Sequence, residues 1–285
     1  MLFLPGIEAI IELISRILPC LLGDIFGREE VRQGGDRGSE RKLMSKESRV
    51  LVIIPAYDEE KNIGRVIKEV RESVLDADVV VIDDGSRDGT AKVAREEGAK
   101  VLSHCVNLGP GAATQTGYRY ALMHSYELIV QLDGDGQHDP TSIKDLLNTL
   151  ENGSYDMVIG SRFLGNQGYK PPLIRKIGMS FFATLTSLIV RQKITDSTSG
   201  FRVLNGKVVD FLANIDYPSD YQDADVISLT HFAGFRIKEI PVLMHEDPSG
   251  KSLLGGFRFI YYGFKVLLSV IVTLSREKPS RGRGG

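Results

Sequence analysis

Five short apolar runs alternate with stretches of helical periodicity after residue 48. Each run has the length of a buried strand, and most of the stretches between the runs are long enough to cross the sheet as a helix. Because parallel strands need such crossovers, the alternation predicts an α/β fold with right-handed βαβ units and a mostly parallel sheet. The strands are predicted at residues 49–55, 78–82, 100–103, 128–132 and 156–160. For the second half we predict a long apolar helix at 173–190, a helix at 225–233 and a strand at 235–241, which complete one side of a cleft.

The net charge and the cysteines exclude several classes of protein. With 35 basic and 37 acidic residues, the 285-residue chain has a net charge of −2, so no global positive field indicates nucleic acid binding. Cys20 and Cys105 are far apart and have no metal-binding spacing, which argues against a disulfide framework and fits a reducing compartment. We therefore expect a cytoplasmic protein that binds no nucleic acid.

Residues 1–46 differ in composition from the middle of the chain. Residues 2–22 are apolar, but their charged residues fall on one helical face, which predicts an amphipathic surface helix and not a signal peptide. These charged residues are Glu8, Glu12 and Arg16. A polar, Gly-rich linker follows at residues 27–46, and Met44 within it is an alternative start of the protein.

Residues 251–285 also differ from the central domain, which we predict at residues 47–250. Residues 257–274 are apolar and aromatic, but Arg258 and Lys265 interrupt them, and no charge-free run reaches the roughly 20 residues that span a bilayer. With the basic tail that follows, this pattern predicts an interfacial helix and a protein that associates peripherally with the membrane surface. The alternative is an ordinary helix packed on the domain.

The fourth predicted strand ends in two carboxylates one residue apart, Asp133 and Asp135, set among glycines. Ligands of α/β proteins bind at the carboxyl ends of parallel strands, and paired hard oxygens there indicate Mg²⁺ or Mn²⁺ in contact with a phosphate. A calcium loop of the EF-hand type is excluded, because its sixth position, a glycine, is His138 here and its twelfth, a glutamate, is Lys144. A solvated turn is the other alternative. We predict that Asp135 is the direct metal ligand, that Asp133 lies nearer the ribose or the metal, and that Gln137 supports them.

The first and second strands also end in polar residues. Pro55 closes the first strand, and Tyr57 at its tip could border a nucleotide base, whereas Glu59 could simply favour the N-terminus of the next helix. Asp83 and Asp84 close the second strand, and one of them could accept a hydrogen bond from a base N–H group.

Three further positions each have two interpretations. The small residues around Gly111 could cradle a phosphate at a helix N-terminus or only permit close packing of the helix on the sheet. Arg162, after the fifth strand, and Arg202 could bind a diphosphate or balance the nearby acidic charge. Asp196 opens the polar loop before Arg202 and could cap a turn.

Taken together, these motifs resemble those of family 2 glycosyltransferases, and especially the dolichol-phosphate mannose synthase and polyprenyl-phosphate glycosyltransferase branch. The resemblance covers residues 49–262 in order and rests on residues 55–59, 83–86, 133–138, 160–162 and 199–202. It implies the GT-A fold and inverting transfer of a sugar from a nucleotide-diphosphate sugar.

With this resemblance, the candidate residues fall into three groups. The nucleotide-sugar-binding residues are predicted to be Pro55, Ala56, Tyr57, Glu59, Asp83, Asp84, Gly111, Asp133, Gly134, Arg162, Arg202 and Lys251. The residues predicted to hold Mg²⁺ or Mn²⁺ are Asp133, Asp135, Gln137 and His245. The predicted catalytic residues are Asp135, Arg162, Asp223 and Asp225.

Two positions depart from the family pattern. Relatives often carry glutamate where this chain has Asp225, and they usually carry arginine near Asp247. A shorter carboxylate can still accept a proton, and His245 or Lys251 could supply the missing positive or metal-binding group.

The leading functional hypothesis is transfer of a sugar to a polyprenyl (dolichyl) phosphate, with the metal neutralising charge on the leaving diphosphate. A phosphate acceptor is already anionic, whereas a hydroxyl acceptor would need Asp223 or Asp225 as a base. The alternatives are a glycosyltransferase that acts on a hydroxyl of a polysaccharide or glycolipid, and a catalytically degenerate nucleotide-sugar-binding protein. No motif specifies the base, the sugar or the oligomeric state.

Overall fold

The computed structural model describes residues 50–165, 173–215, 217 and 224–245. The strands in these ranges are β1 (Val50–Ala56), β2 (Ala77–Asp83), β3 (Lys100–Ser103), β4 (Leu128–Gln131), β5 (Met157–Ser161), β6 (Arg202–Asn205) and β7 (Ile237–Pro241). The α-helices are α1 (Ile63–Ser73), α2 (Thr90–Glu96), α3 (Pro110–Met123), α4 (Ile143–Gly153), α5 (Leu173–Val190), α6 (Gly206–Asn214) and α7 (Ala224–Phe232), and a 3₁₀ turn at Pro140–Ser142 precedes α4.

The strands form one sheet in the order β3-β2-β1-β4-β6-β5-β7. All neighbouring pairs are parallel except those of β6, which runs antiparallel to β4 and to β5. The prediction of a mostly parallel sheet is therefore confirmed. The sequence analysis missed β6, because this strand is only four residues long and directly follows a polar loop.

The central strands are apolar along their whole length because helices cover both faces of the sheet. Successive side chains of β1 point to opposite faces, so Leu51 and Ile53 belong to one core cluster and Val52 and Ile54 to the other. Helices α3 and α6 pack on the first face, and α1 and α4 pack on the second. The two layers leave the carboxyl ends of β1, β2 and β4 side by side at one edge of the sheet.

The helices predicted at residues 2–22 and 257–274 lie outside the described residues, as do the linker and the basic tail. Within the ranges that the structure describes, none of the helices combines the length and the apolar character needed to cross a membrane.

Candidate active site

The polar residues that follow β1, β2 and β4 meet at one edge of the sheet. Ala56, the last residue of β1, pairs with Asp83, the last residue of β2. After β4, the chain passes so close to β1 that a Cβ atom added to Gly134 would lie 3.2 Å from Cβ of Ala56 and 3.2 Å from the carbonyl oxygen of Pro55. The structure thus brings together four of the residues predicted to bind the nucleotide sugar.

Hydrogen bonds fasten the loop after β1 to the loop after β2. The backbone N–H of Arg87 donates to Oδ1 of Asp58 (2.7 Å), and the backbone N–H of Glu59 donates to Oγ1 of Thr90 (2.8 Å). Asp58 adopts a left-handed backbone conformation with φ of 55°. Tyr57, next to it, remains 38% exposed, so its side chain is accessible to a ligand.

The adjacent carboxylates Asp83 and Asp84 have different environments. Both are buried, but Asp84 accepts hydrogen bonds from the backbone N–H groups of Leu108 (2.9 Å) and Gly109 (2.8 Å), and its Oδ1 lies 2.7 Å from Nδ1 of His104. Asp83 accepts a hydrogen bond from the backbone N–H of Ser86 (3.1 Å). Asp84 therefore anchors the loop before α3, and of the two alternatives Asp83 is the better candidate for accepting a base N–H.

The same contacts change the interpretation of the segment around Gly111. The backbone N–H groups of Leu108 and Gly109, which precede α3, point to the Asp84 carboxylate and so already have an anionic acceptor inside the protein. Gly117, further along α3, packs so tightly that an added Cβ atom would lie 3.2 Å from Cβ of Ile53. Close packing of α3 on the sheet is therefore observed, and a phosphate cradle around Gly111 stays a prediction.

Asp135 lies in an environment that disfavours its negative charge. Its Oδ1 accepts a hydrogen bond from the backbone N–H of Gln137 (2.9 Å). Burial and the nearby charge of Asp133 nevertheless raise the pKa of Asp135 to about 6. A divalent cation between two such carboxylates would relieve their repulsion, so this pair fits a metal site.

Asp133 remains accessible to a ligand, because its side chain is 42% exposed. Its Oδ2 lies 3.4 Å from Nε2 of His138, a buried residue whose ring packs on that of Phe201 with the ring centroids 5.3 Å apart. The surrounding protein alone would raise the pKa of Asp133, but His138 and the charges of Arg162 and Arg202 hold this pKa below 3.8. The sequence analysis assigned no role to His138, although its place in the motif was a signal.

In the described part of the chain, no three His, Cys, Asp or Glu side chains form a cluster that could hold a metal ion. A carboxylate pair is nevertheless a suitable protein contribution for Mg²⁺, which proteins often bind through one or two carboxylates together with substrate phosphates. His245 is tied to the loop, since its backbone N–H donates to the carbonyl oxygen of Gln137 (2.7 Å). Its ring lies 3.6 Å from Oδ2 of Asp139, so a role for His245 or the Gln137 side chain in metal binding stays a prediction.

Arg162 was predicted to contact the diphosphate, but the structure directs its side chain to Asp196. Both Nε and Nη2 of Arg162 donate to this carboxylate at 2.6 Å, and its backbone N–H donates to the same group (3.0 Å). Both residues are buried. Burial alone would raise the pKa of Asp196, but the Arg162 charge and hydrogen bonds hold it below 3.8. Arg162 thus forms a buried ion pair with Asp196, which does more than cap a turn, and the contact of Arg162 with a diphosphate stays a prediction.

Glu239 of β7 extends this network and was missed by the sequence analysis. Its carboxylate accepts hydrogen bonds from the backbone N–H groups of Thr195 and Asp196, both at 2.8 Å. Thr195 Oγ1 also lies 2.7 Å from Oγ of Ser161, at the end of β5. A glutamate in an amphipathic strand carries no local signal for this role, because its partners lie more than 40 residues earlier in the chain.

The segment between Asp196 and Arg202 reaches back to the carboxylate pair. Arg202 is buried, and its Nε donates to the carbonyl oxygen of Ser199 (2.9 Å). Gly200 lies directly against the Asp133 carboxylate. Asp225, the candidate base, is buried in the first turn of α7. The predicted residues Asp223, Asp247 and Lys251 lie outside the described residues.

Comparisons with known proteins show the family to which the chain belongs. The model of the family described as "Glycosyl transferase family 2" matches residues 51–212. The chain is 28% identical over 249 residues to the polyprenol monophosphomannose synthase of Mycolicibacterium smegmatis, with 84% of this chain and 92% of the relative covered. It is 30% identical over 217 residues to the undecaprenyl-phosphate mannosyltransferase of Micrococcus luteus, with 73% and 88% covered.

The fold is similar to that of glucosyl-3-phosphoglycerate synthase from Mycobacterium tuberculosis, whose crystal structure contains Mn²⁺ and UDP-glucose. The TM-score is 0.62 at 18% sequence identity, with 80% of this chain and 79% of that chain covered. The resemblance to family 2 and the predicted GT-A fold are confirmed. The chain is therefore a glycosyltransferase with the GT-A fold that belongs to glycosyl transferase family 2.

Proposed function

We propose that this enzyme transfers a sugar, with inversion, from a nucleotide-diphosphate sugar to a polyprenyl (dolichyl) phosphate at a membrane surface, with Mg²⁺ or Mn²⁺ as cofactor. The carboxylate pair Asp133 and Asp135, next to the ends of β1 and β2, is the observation that carries this proposal. The names of the two relatives support the lipid-phosphate acceptor. The Mn²⁺ and UDP-glucose bound to the structural neighbour support the metal and the donor.

In the proposed reaction, the described residues mainly bind and orient the donor. Asp83 would accept a hydrogen bond from the base, and Tyr57 would border it. Asp133 and Asp135 would hold the metal, which when bound supplies positive charge to the leaving diphosphate. His138 and, to a smaller extent, the charges of Arg162 and Arg202 lower the pKa of Asp133, which favours the ionised form that can act as a ligand.

The acceptor decides whether the enzyme needs a base. A lipid phosphate is anionic at neutral pH, so its oxygen can attack the sugar without losing a proton to the protein. A hydroxyl acceptor would need general-base catalysis, for which Asp225 is the described candidate. We favour the phosphate acceptor because Asp225 is buried, and we propose a cytoplasmic enzyme that associates peripherally with the membrane.

Product analysis tests this function. The purified full chain would be incubated with UDP-, GDP- and dTDP-sugars, Mg²⁺ or Mn²⁺, and undecaprenyl or dolichyl phosphate in detergent micelles. We expect mass spectrometry to detect a polyprenyl-phosphate sugar, and NMR to show that its anomeric configuration is opposite to that of the donor sugar. No product should form in the presence of EDTA. Transfer only to hydroxyl acceptors would refute the lipid-phosphate proposal, and metal-dependent nucleotide binding without turnover on any acceptor would identify a degenerate binding protein.

A further inference from the structure

Helix α5 has an apolar outer face that the proposed reaction does not use. Phe181 and Leu188 are 56% and 73% exposed, and the exposed Thr184 lies between them. The spacings of three and four residues place the three side chains on one face, which we call the outer ridge of α5. The opposite face is buried in the protein through Phe182 and Val190. Large apolar side chains that remain exposed on one face of a helix indicate a surface for binding a partner.

The segment that forms α5 and the connection after it carries charge of one sign. Residues 173–195 contain four basic residues and no acidic residue, although the whole chain has a net charge of −2. Arg191 and Lys193 are exposed just beyond the C-terminal end of α5. An apolar ridge with basic residues around it complements an anionic lipid surface, where apolar side chains enter the interface and cations meet the phosphates.

The position of α5 links this surface to the acceptor side of the site. On the inner face, Phe182 packs against Ala224, the first residue of α7, which is followed by Asp225. At the C-terminal end, only a short connection, residues 191–195, separates α5 from Asp196, and the following Gly200 lies against Asp133. A lipid surface in contact with the outer ridge would therefore lie close to the elements that border the site.

We propose that the outer ridge of α5 docks on the surface of a membrane that contains anionic phospholipids. The proposal rests on the proposed function, because a lipid-linked acceptor requires the enzyme to work at such a surface, and it names the surface of the enzyme that meets the membrane. It makes no use of the predicted terminal helices, so it can be tested separately from them.

The composition of the chain provides a direct test. The chain contains no tryptophan, so a Leu188→Trp variant of the full chain carries a single fluorescent reporter on the outer ridge. With vesicles of phosphatidylglycerol and phosphatidylcholine, we expect its emission to shift to shorter wavelength and to be quenched by brominated acyl chains. The matched control is Leu75→Trp, at a position that is 87% exposed between α1 and β2 and should show neither change.

Two results would overturn the proposal. In the first, the Leu188→Trp variant binds the vesicles while the emission of its tryptophan stays unchanged, which would mean that another surface meets the membrane. In the second, the emission of this tryptophan is already shifted without vesicles, which would mean that another segment or a second copy of the chain covers the ridge.

An activity measurement separates this proposal from the proposed function. For a Phe181→Glu/Leu188→Glu variant we expect about tenfold weaker partitioning to anionic vesicles. Turnover of the vesicle-embedded acceptor should fall in parallel, while turnover in detergent micelles should stay unchanged. Leu75→Glu, the control, should leave both unchanged. An absence of transfer by the wild type in micelles would refute the proposed function alone, because the fluorescence result would still report on docking.

Discussion

Gly200 lies so close to Asp133 that a Cβ atom on residue 200 would lie 2.7 Å from Oδ1 of Asp133 and nearer still to Oδ2. Cβ atoms in proteins essentially never approach other atoms so closely, so any side chain at residue 200 must displace the carboxylate. The backbone of Gly200 has no positive φ, so only the space next to Asp133 demands glycine here. The chain segment before β6 therefore determines where one of the two candidate metal ligands can lie.

We expect Gly200→Ala to lower kcat/KM by about tenfold to a hundredfold and to weaken Mn²⁺ binding, because a displacement of about 1 Å at a site can cost this much. The matched control is Gly206→Ala, since the nearest atoms to its new Cβ would be 3.7 Å away. Steady-state kinetics and a Mn²⁺ titration would measure the effect. Equal kcat/KM and equal Mn²⁺ affinity of the two variants would show that neither catalysis nor metal binding depends on the position of Asp133.

Asp135→Asn should abolish transfer and metal binding without unfolding the protein. Burial and the charge of Asp133 disfavour the ionised form of Asp135, so removing its charge should leave the thermal midpoint unchanged or raise it. Activity assays and thermal melts would be compared with those of Asp145→Asn, an exposed position on α4 where we expect no effect. Transfer at the wild-type rate by Asp135→Asn would exclude this residue as a ligand.

Asp196→Asn should destabilise the fold by about 3–5 kcal/mol, because it leaves the buried guanidinium of Arg162 without its counter-ion. Glu97→Gln removes a partly exposed ion pair with Lys68 (3.2 Å) and should cost no more than about 1 kcal/mol. Urea unfolding would measure the free energy of unfolding of both variants. Similar losses would mean that the Arg162–Asp196 pair contributes no more than a surface contact.

The same ion pair predicts a loss of stability in acid. The pKa of Asp196 is held below 3.8 in the folded protein, whereas an unfolded aspartate titrates near about 3.9. Its stabilising contribution is therefore fully present above the unfolded pKa and is lost as the pH falls through the folded pKa. Below about pH 4, the free energy of unfolding should fall more steeply for the wild type than for Asp196→Asn. Parallel curves would contradict the assignment.

Asp83→Asn and Asp84→Asn should separate nucleotide binding from stability. Asparagine at residue 83 still accepts the hydrogen bond from Ser86 but should weaken nucleotide binding by about tenfold to a hundredfold, since hydrogen bonds to charged groups are worth about 1.5–3 kcal/mol. Asp84→Asn should instead cost about 1–3 kcal/mol of stability, because buried donors of the loop before α3 lose a charged acceptor. Calorimetric titration would measure nucleotide binding by both variants, and thermal melts would measure their stability. Weaker nucleotide binding by Asp84→Asn together with lower stability of Asp83→Asn would contradict the assignment.

Local patterns predicted much of the fold because a strand that is buried on both faces of the sheet has a continuous apolar sequence. The apolar run of β1 places Leu51 and Val52 in opposite core layers, and the same composition recurs in β2 and β4. Parallel strands end at a common edge, so the motifs at Pro55, Asp83 and Asp133 were expected to converge, and they do. The short antiparallel strand β6 has no such apolar run, so its sequence did not predict it.

The partners of the charged residues were not predictable in the same way. Arg162 lies 34 residues before Asp196 in the chain, and Glu239 lies 43 residues after it. Nothing near Arg162 distinguishes an arginine that binds phosphate from one that pairs with a buried carboxylate. Likewise, Asp83 and Asp84 are chemically identical neighbours, and only the tertiary structure shows that they have different hydrogen-bond partners.

The sequence by itself determined the α/β architecture, the family and the edge of the sheet that carries the candidate site, because strand and helix periodicities depend on residues close together in the chain. Only the tertiary structure decided that Arg162 pairs with Asp196, that Glu239 binds the backbone at Thr195 and Asp196, and that Gly200 confines Asp133. Those contacts depend on how β5, β6 and β7 are ordered in the sheet, and an antiparallel strand inserted between parallel ones is set by the packing of the whole domain.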